Sequence, residues 1–359
     1  MLQRRLFSSF VALLSIAALH CGGKVVVESS TGGGGAGGSP GAGGSVAQGG
    51  PTSASGGSPC SAPGGGLDGP CAPTEPSCKA GTSACIALVD NAGASSFALR
   101  MSHLTITAPP TLTKGLVKSV IENGVQLNYA KCNLVGGGTF SWLFQLDTVA
   151  GTLKTGGALP ADDPANGYAF LDQGFKQTSG ASFHAAPVTV PVAIGPTCGF
   201  NSGAADLVMP IFLDLAGTAS LIFPLHQVQF DMGSFSGDHN CIGRYNDQGL
   251  DPASGCLEDG NQPTFLDSGL IAAYFSLEEA DQVVINAIGQ TLCVVLSGDA
   301  ATFGDGQSPT NACARNGNGH IVFHGDWCSS TSPGQPATPG CHDAVRFEGT
   351  FAASGVKLN

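Results

Sequence analysis

The sequence predicts a mainly β protein, an antiparallel β-sandwich or jelly-roll-like domain with one short helix, braced by disulfides. Three observations carry this. Charged residues make up only 11% of the chain while Gly reaches 54 residues and Phe 19, a balance unlike that of helical cytosolic enzymes, which carry many more Glu and Lys. Beyond Cys85 the commonest pattern is an alternation of period two, the mark of strands with one buried face. Finally, thirteen cysteines occur without a single Cys-x-x-Cys pair, so disulfides explain them better than zinc ribbons or thioredoxin-like redox sites.

Taken in order, Val117 to Glu122, Asn123-Gly124 and Val125 to Tyr129 read as a hairpin, because Asn-Gly tolerates the positive φ angles of a two-residue type I′ turn. Val188, Val190, Val192 and Ile194 alternate as a strand. Ala205 to Leu225 is the most apolar stretch, but Asp206, Pro210 and Asp214 interrupt it, which suits paired strands better than a lipid-facing helix. Val228, Phe230 and Met232 alternate again. Ser276 with Glu279 forms a capping box, and Leu277, Ala280, Val283, Val284, Ala287 and Ile288 follow at helical spacing until Gly289 ends the helix. Thr291 to Leu296 then reads as a strand, and Val345, Phe347 and Phe351 alternate with Arg346, Glu348 and Thr350 in a last one. An outer-membrane barrel is disfavoured, since four Tyr and two Trp are too few for two aromatic girdles.

The domain these elements build spans residues 86–359. Before it, Met1 to Arg5 is positive and Leu6 to Leu19 is mostly apolar, which makes residues 1–20 a signal peptide too short to span a membrane as a mature helix. Residues 21–59 are dominated by Gly, Ser, Ala, Pro and Thr. Such a composition cannot bury enough apolar surface to offset ordering, so this is a stalk with an r.m.s. reach of about 30 Å. Residues 60–85 hold four cysteines among Gly and Pro, a small stapled collar.

The junction Ala18-Leu19-His20-Cys21-Gly22 resembles the lipobox of bacterial lipoproteins, although Ala18 stands where the family usually has Leu and His20 where it has a small residue. The resemblance implies cleavage before Cys21, a lipid on that cysteine and, with Gly22 rather than Asp following it, an outer-membrane address. Cleavage by ordinary signal peptidase after Ala17 or Ala18 is the alternative. The layout of anchor, Gly-rich stalk and cysteine-containing β domain resembles lipoproteins that large-genome Gram-negative bacteria encode in quantity, a group that implies a location and no activity.

Setting Cys21 aside leaves twelve cysteines, an even number that suits an oxidising compartment. Connectivity cannot be read from spacing. Cys241 with Cys256, and Cys313 with Cys328, each bracket a Gly- and Asn-containing loop, and those two pairs are the expectation. Closing a loop of that size is worth about 3 kcal/mol by the chain-entropy argument.

The formal net charge of −12 excludes the basic stripe on which nucleic-acid binding depends. No Walker or dinucleotide glycine fingerprint follows a strand and opens a helix, so nucleotides have no support. The Gly-x-Ser-x-Gly match at Gly37 to Gly41 lies in the stalk, where no strand-turn-helix could strain Ser39 into a nucleophile. His320 and His324 have the spacing of a helical zinc pair, but Ile321, Val322 and the flanking Gly319 and Gly325 argue for a strand. Residues four apart on a strand are separated by about 13 Å, too far to share a zinc ion. His226 shares a strand face with Val228 and Phe230 and reads as a hydrogen-bonded core histidine. The acidic loop from Asp238 to Asp259 offers Asp247, Asp251 and Asp259 as hard oxygen ligands for calcium, without the EF-hand order, and an ordinary solvated turn is the competing reading.

These readings converge on an outer-membrane lipoprotein presenting a binding module for a polymer or protein ligand, since a long tether increases reach and effective concentration rather than catalytic precision. A structural or accessory subunit of an envelope assembly is the alternative, marked by a large apolar patch. A secreted hydrolase stands third, and no catalytic residue is singled out for it.

Overall fold

A computed structural model describes residues 85–129, 134–218, 220–231, 233–251, 257–258, 263–286, 288–299 and 311–359. The signal peptide, Cys21, the stalk, the collar up to residue 84, Met232, Cys256 and Asp259 lie outside them. Ten strands form the path of a large antiparallel sheet: β1 (Ser96–Ala108), β2 (Ser141–Asp147), β3 (Thr152–Ala158), β4 (Val188–Ile194), β5 (Gly199–Ser202), β6 (Ala205–Phe212), β7 (Ser220–Asp231), β8 (Gly233–Ser234), β9 (Gly269–Ser276) and β10 (Ala344–Gly355). Their spatial order is β6-β7-β9-β10-β1-β2-β3-β4-β5-β8, and three two-residue strands attached to it bring the sheet to 13. The sheet curls into a half-barrel. Phe230 N on β7 donates to Ser202 Oγ on β5 at 2.8 Å, two strands that are far apart along the path.

The phenylalanines explain the curl. Phe144 of β2 meets Phe230 edge-on at 5.0 Å and stacks on Phe351 at 5.2 Å, while Phe223 and Phe275 meet edge-on at 5.1 Å. Strands from both halves of the path therefore share one aromatic core, and each ring adds the edge-to-face or stacked attraction to its burial. In β4 the expected alternation holds: Val190 and Val192 are buried while Thr189, Pro191 and Ala193 are exposed. In β10 Val345, Phe347 and Phe351 point inward and Arg346 outward. The apolar stretch after residue 205 is indeed a strand pair, β6 with β7, joined by a turn in which Asp214 accepts from Thr218 N and Oγ1.

Three local expectations are corrected. The predicted hairpin after residue 117 is a helix, α1 (Gly115–Val125). Val117, Val120, Ile121 and Val125 fall at i, i+3, i+4 and i+8, and that spacing outweighs the Asn-Gly turn signal. Gly124 serves close approach instead, since a Cβ there would stand 2.8 Å from Thr139 Oγ1. The helix expected from Ser276 to Gly289 stops after one turn, α2 (Leu277–Ala280), and its capping box does not form. Glu279 is drawn to His226, and Asp281 accepts from Cys313 N at 2.8 Å and from Thr291 Oγ1 at 3.0 Å. Val284–Ile285 then pairs with Gln290–Thr291 as a small hairpin. The strand expected after Thr291 is a helix, α3 (Leu292–Ser297), ended by Gly298 in the left-handed region at φ +84°. Its residues from Leu292 to Leu296 are all buried, and an apolar run without a polar face has no period to distinguish helix from strand.

The disulfides also differ from expectation. Cys241 bonds to Cys85, Cys313 to Cys293 and Cys328 to Cys341. Tertiary pairing decides each. Cys241–Ile242 lies along β10 at Ser354 and Ala353, and Leu88 N donates to Gly355 O at 2.8 Å, so β10 brings residue 85 to residue 241. Asp281 holds Cys313 beside α3, which carries Cys293. Thr338 and Cys341 bridge each other, and this turns Cys341 back to Cys328 on the hairpin formed by Trp327–Cys328 and Gln335–Pro336.

Candidate functional site

The outer face of the sheet carries a row of side chains contributed by neighbouring strands. His226 on β7 is paired in register with Tyr274 on β9, and Tyr274 with Arg346 on β10. The His226 and Tyr274 rings stack with centroids 5.4 Å apart, and the Arg346 guanidinium lies over the Trp327 ring at 5.1 Å. Directly opposed residues on adjacent strands are close enough for such contacts, and a guanidinium over an indole face gains from the ring quadrupole. Arg346 also pairs with Glu348.

His226 is the chemically distinctive member. Its Nε2 contacts Glu279 of α2, its Nδ1 lies 3.4 Å from Asp206 Oδ2 on β6, and its side chain is 24% exposed. The hydrogen bond to Glu279 raises its pKa above the ordinary value of about 6.5, burial opposes this, and the charges of Glu279 and Asp206 reinforce it. The Tyr274 phenol is pushed up by burial and by the carboxylates of Asp206, Asp343 and Glu279. Register shifts between His226 and Gln229, a bulge of the kind that re-aims side chains. Within it Gln227 adopts φ +49°, a left-handed conformation uncommon for a residue with a side chain.

The loop after Trp327 lies against this row. Gly334 N donates to Gln227 Oε1 at 2.7 Å, and Gln227 Nε2 reaches Ser332 Oγ at 3.4 Å. A Cβ on Gly334 would stand 2.4 Å from Trp327 Nε1 and 3.1 Å from Tyr274 Cε1, so glycine is what lets the loop settle on both aromatics. Ser329 N and Oγ donate to Asp343 at 2.8 and 2.7 Å and tie the loop's start to the foot of β10.

The sequence reading placed His226 in the core. Its face does alternate with buried Val228 and Phe230, but the bulge directly after it breaks the alternation that assigned it inward. Capping signals hid Glu279. The row combines residues more than 100 positions apart, from His226 to Trp327 and Arg346, so no local pattern could have assembled it.

The other candidates lie elsewhere in the fold, and Asp259 falls outside the described residues. Asp247 and Asp251 fall on a short 3-10 turn, Asp247–Gly249, and a two-residue strand, Leu250–Asp251, paired with Leu257–Glu258. Nearby, Asp238 accepts from Ser236 Oγ at 2.6 Å and Asn240 N at 3.3 Å, which shapes its own turn. His320 and His324 lie on an irregular run with one bridge, Arg315 to Ile321, rather than on a regular strand. The His324 and His342 rings lie tilted against each other with centroids 3.7 Å apart. Among the described residues, the groups that gather around one point are Asp281 with Cys293 and Cys313, and Asp343 with Cys328 and Cys341. In each the two sulfurs are spent in a disulfide and are not thiolate ligands.

Mainly β architecture with three disulfides between described residues defines an extracytoplasmic type of protein, because cytosolic thiols are kept reduced. No helix among the described residues is long and apolar enough to cross a membrane. In comparisons with family models, curated proteins and solved structures, nothing matches this chain.

Proposed function

We propose that the protein is an outer-membrane lipoprotein, anchored through Cys21, whose β domain binds a polymer or protein ligand on the face formed by His226, Tyr274, Arg346 and Trp327. The observation that carries this reading is the cross-strand row itself: aromatic and hydrogen-bonding groups aligned on adjacent strands of a rigid sheet. Neighbouring strands lie about 4.8 Å apart, so an extended ligand lying across them meets His226 and Arg346, and reaches Tyr274, buried beneath the loop at Gly334, once that loop moves. Binding is favoured over hydrolysis because Asp206 and Glu279 both turn to His226, whereas a glycosidase needs two carboxylates facing each other across the scissile bond.

Three measurements test the reading. Mass spectrometry of the N-terminal peptide should find diacylglycerol on Cys21, and intact cells treated with protease should release the domain by cuts in the stalk. Full-length protein should co-sediment with isolated cell-envelope polymer, and Trp327→Ala should weaken this at least tenfold with the fold unchanged by circular dichroism. Unmodified Cys21 would sink the anchor, and equal retention of Trp327→Ala would sink the binding face.

A further inference from the structure

Gln227 holds the loop through a conformation that its neighbours sustain. Its backbone N–H donates to Asp206 Oδ1 at 2.9 Å, and its side chain accepts from Gly334 N at 2.7 Å. The same Asp206 carboxylate faces His226. We propose that His226 is a proton-controlled latch, holding the loop of residues 329–336 against Tyr274 and Trp327 when its ring carries two N–H groups and releasing it when the ring carries one. The inference rests on the reading of this face as the ligand-binding surface, to which the loop would then control access.

The reason is a count of donors. An imidazolium donates from both nitrogens, and a neutral imidazole from only one. Protonated His226 can hold Glu279 through Nε2 and Asp206 through Nδ1 together. Neutral His226 must turn a lone pair toward one carboxylate. Glu279 has the shorter contact, whereas Asp206 lies at 3.4 Å with its side chain 68% exposed, so Asp206 is the partner that leaves. Gln227 N–H then loses its acceptor, the left-handed backbone loses a stabilising contact, and the side chain that accepts from Gly334 moves with it. The charged groups facing His226 are Asp206 from β6 and Glu279 from α2, and Tyr274 stacks on its remaining side with Asp343 beyond. Because the folded-state pKa is raised, the latch's contribution to stability is complete below the unfolded value of about 6.5 and is lost as pH rises through the higher folded value.

Trp327 reports the state of the loop directly, since Gly334 covers its Nε1 edge, while Trp142 is fully buried and supplies a constant background. Tryptophan emission of the full-length protein is recorded from pH 5 to 9 without ligand. A single-proton shift to longer wavelength is expected on raising the pH, with its midpoint above 6.5. Trp327→Phe and His226→Gln should each abolish it, and Gln227→Ala, which keeps His226, should show the open emission even at pH 5. A pH-independent wild type, a transition that survives in folded His226→Gln, or a closed emission in Gln227→Ala at pH 5 would each overturn the latch. No ligand enters the measurement, so an intact transition beside failed polymer binding sinks the binding reading alone.

Discussion

Arg100 offers the most demanding test of what holds the half-barrel together. It is 2% exposed, and it donates from Nε to Ser141 Oγ at 3.1 Å, from Nη1 to Met101 O at 2.9 Å and Val125 O at 2.8 Å, and from Nη2 to Phe140 O at 3.0 Å. The Tyr168 ring lies 5.6 Å from the guanidinium carbon. Burial lowers the guanidinium pKa, with Tyr168 opposing. These acceptors are carbonyls and a hydroxyl rather than a carboxylate, and Val125 closes α1, where the terminal carbonyls carry the negative end of the helix dipole. Arg100→Met keeps most of the volume and removes the fork. Three carbonyls then lose a partner away from water, at about 1–3 kcal/mol each before relaxation. Relief from burying a charge offsets several kcal/mol of that sum, and the net expectation is a loss of about 3 kcal/mol. Urea unfolding under non-reducing conditions at pH 7, followed by circular dichroism, measures it through the midpoint at constant slope. Arg100→Lys keeps the charge but presents its donors at a single point, and it should recover little of the loss. A Met variant within about 0.5 kcal/mol of wild type, the range of neutral surface changes, would refute the account. Full recovery by Lys would show that charge, not the fork, does the work.

Two further outcomes follow from the same structure. Replacing both Cys85 and Cys241 by Ser should cost about 5 kcal/mol and replacing both Cys328 and Cys341 about 3 kcal/mol by the chain-entropy argument, because the first bridge closes 156 residues and the second 13; paired denaturation curves check the order. Trp142 Nε1 donates to Thr155 Oγ1 at 2.8 Å, which donates onward to Leu143 O at 2.9 Å, so Thr155→Val should cost about 1–3 kcal/mol by leaving a buried indole N–H unpaired, read from the same unfolding curves.

Much of the fold was legible because its signals are local. Alternation in Val188–Ile194 and in Ala344–Gly355 reported a buried face one residue at a time, since a strand turns its side chains by half a revolution per residue. Aspartates and a proline interrupting the stretch after Ala205 marked a strand pair for a similar reason. Failures came where two local signals competed. Asn123-Gly124 spoke for a turn and the spacing of Val117, Val120, Ile121 and Val125 for a helix, and packing chose the helix. Ser276 and Glu279 had the pattern of a capping box, but Glu279 turns to His226 and Ser276 makes no side-chain cap.

By itself, then, the sequence determined the fold class, the oxidising compartment and the strands whose burial alternates, because composition and period are properties of short windows. Only the tertiary structure decided which cysteines meet, where α2 stops, and that His226, Tyr274, Arg346 and Trp327 form one row. Those outcomes depend on strand order, and strand order is fixed by a shared aromatic core between residues such as Phe144, Phe230 and Phe351, whose separation along the chain no local pattern records.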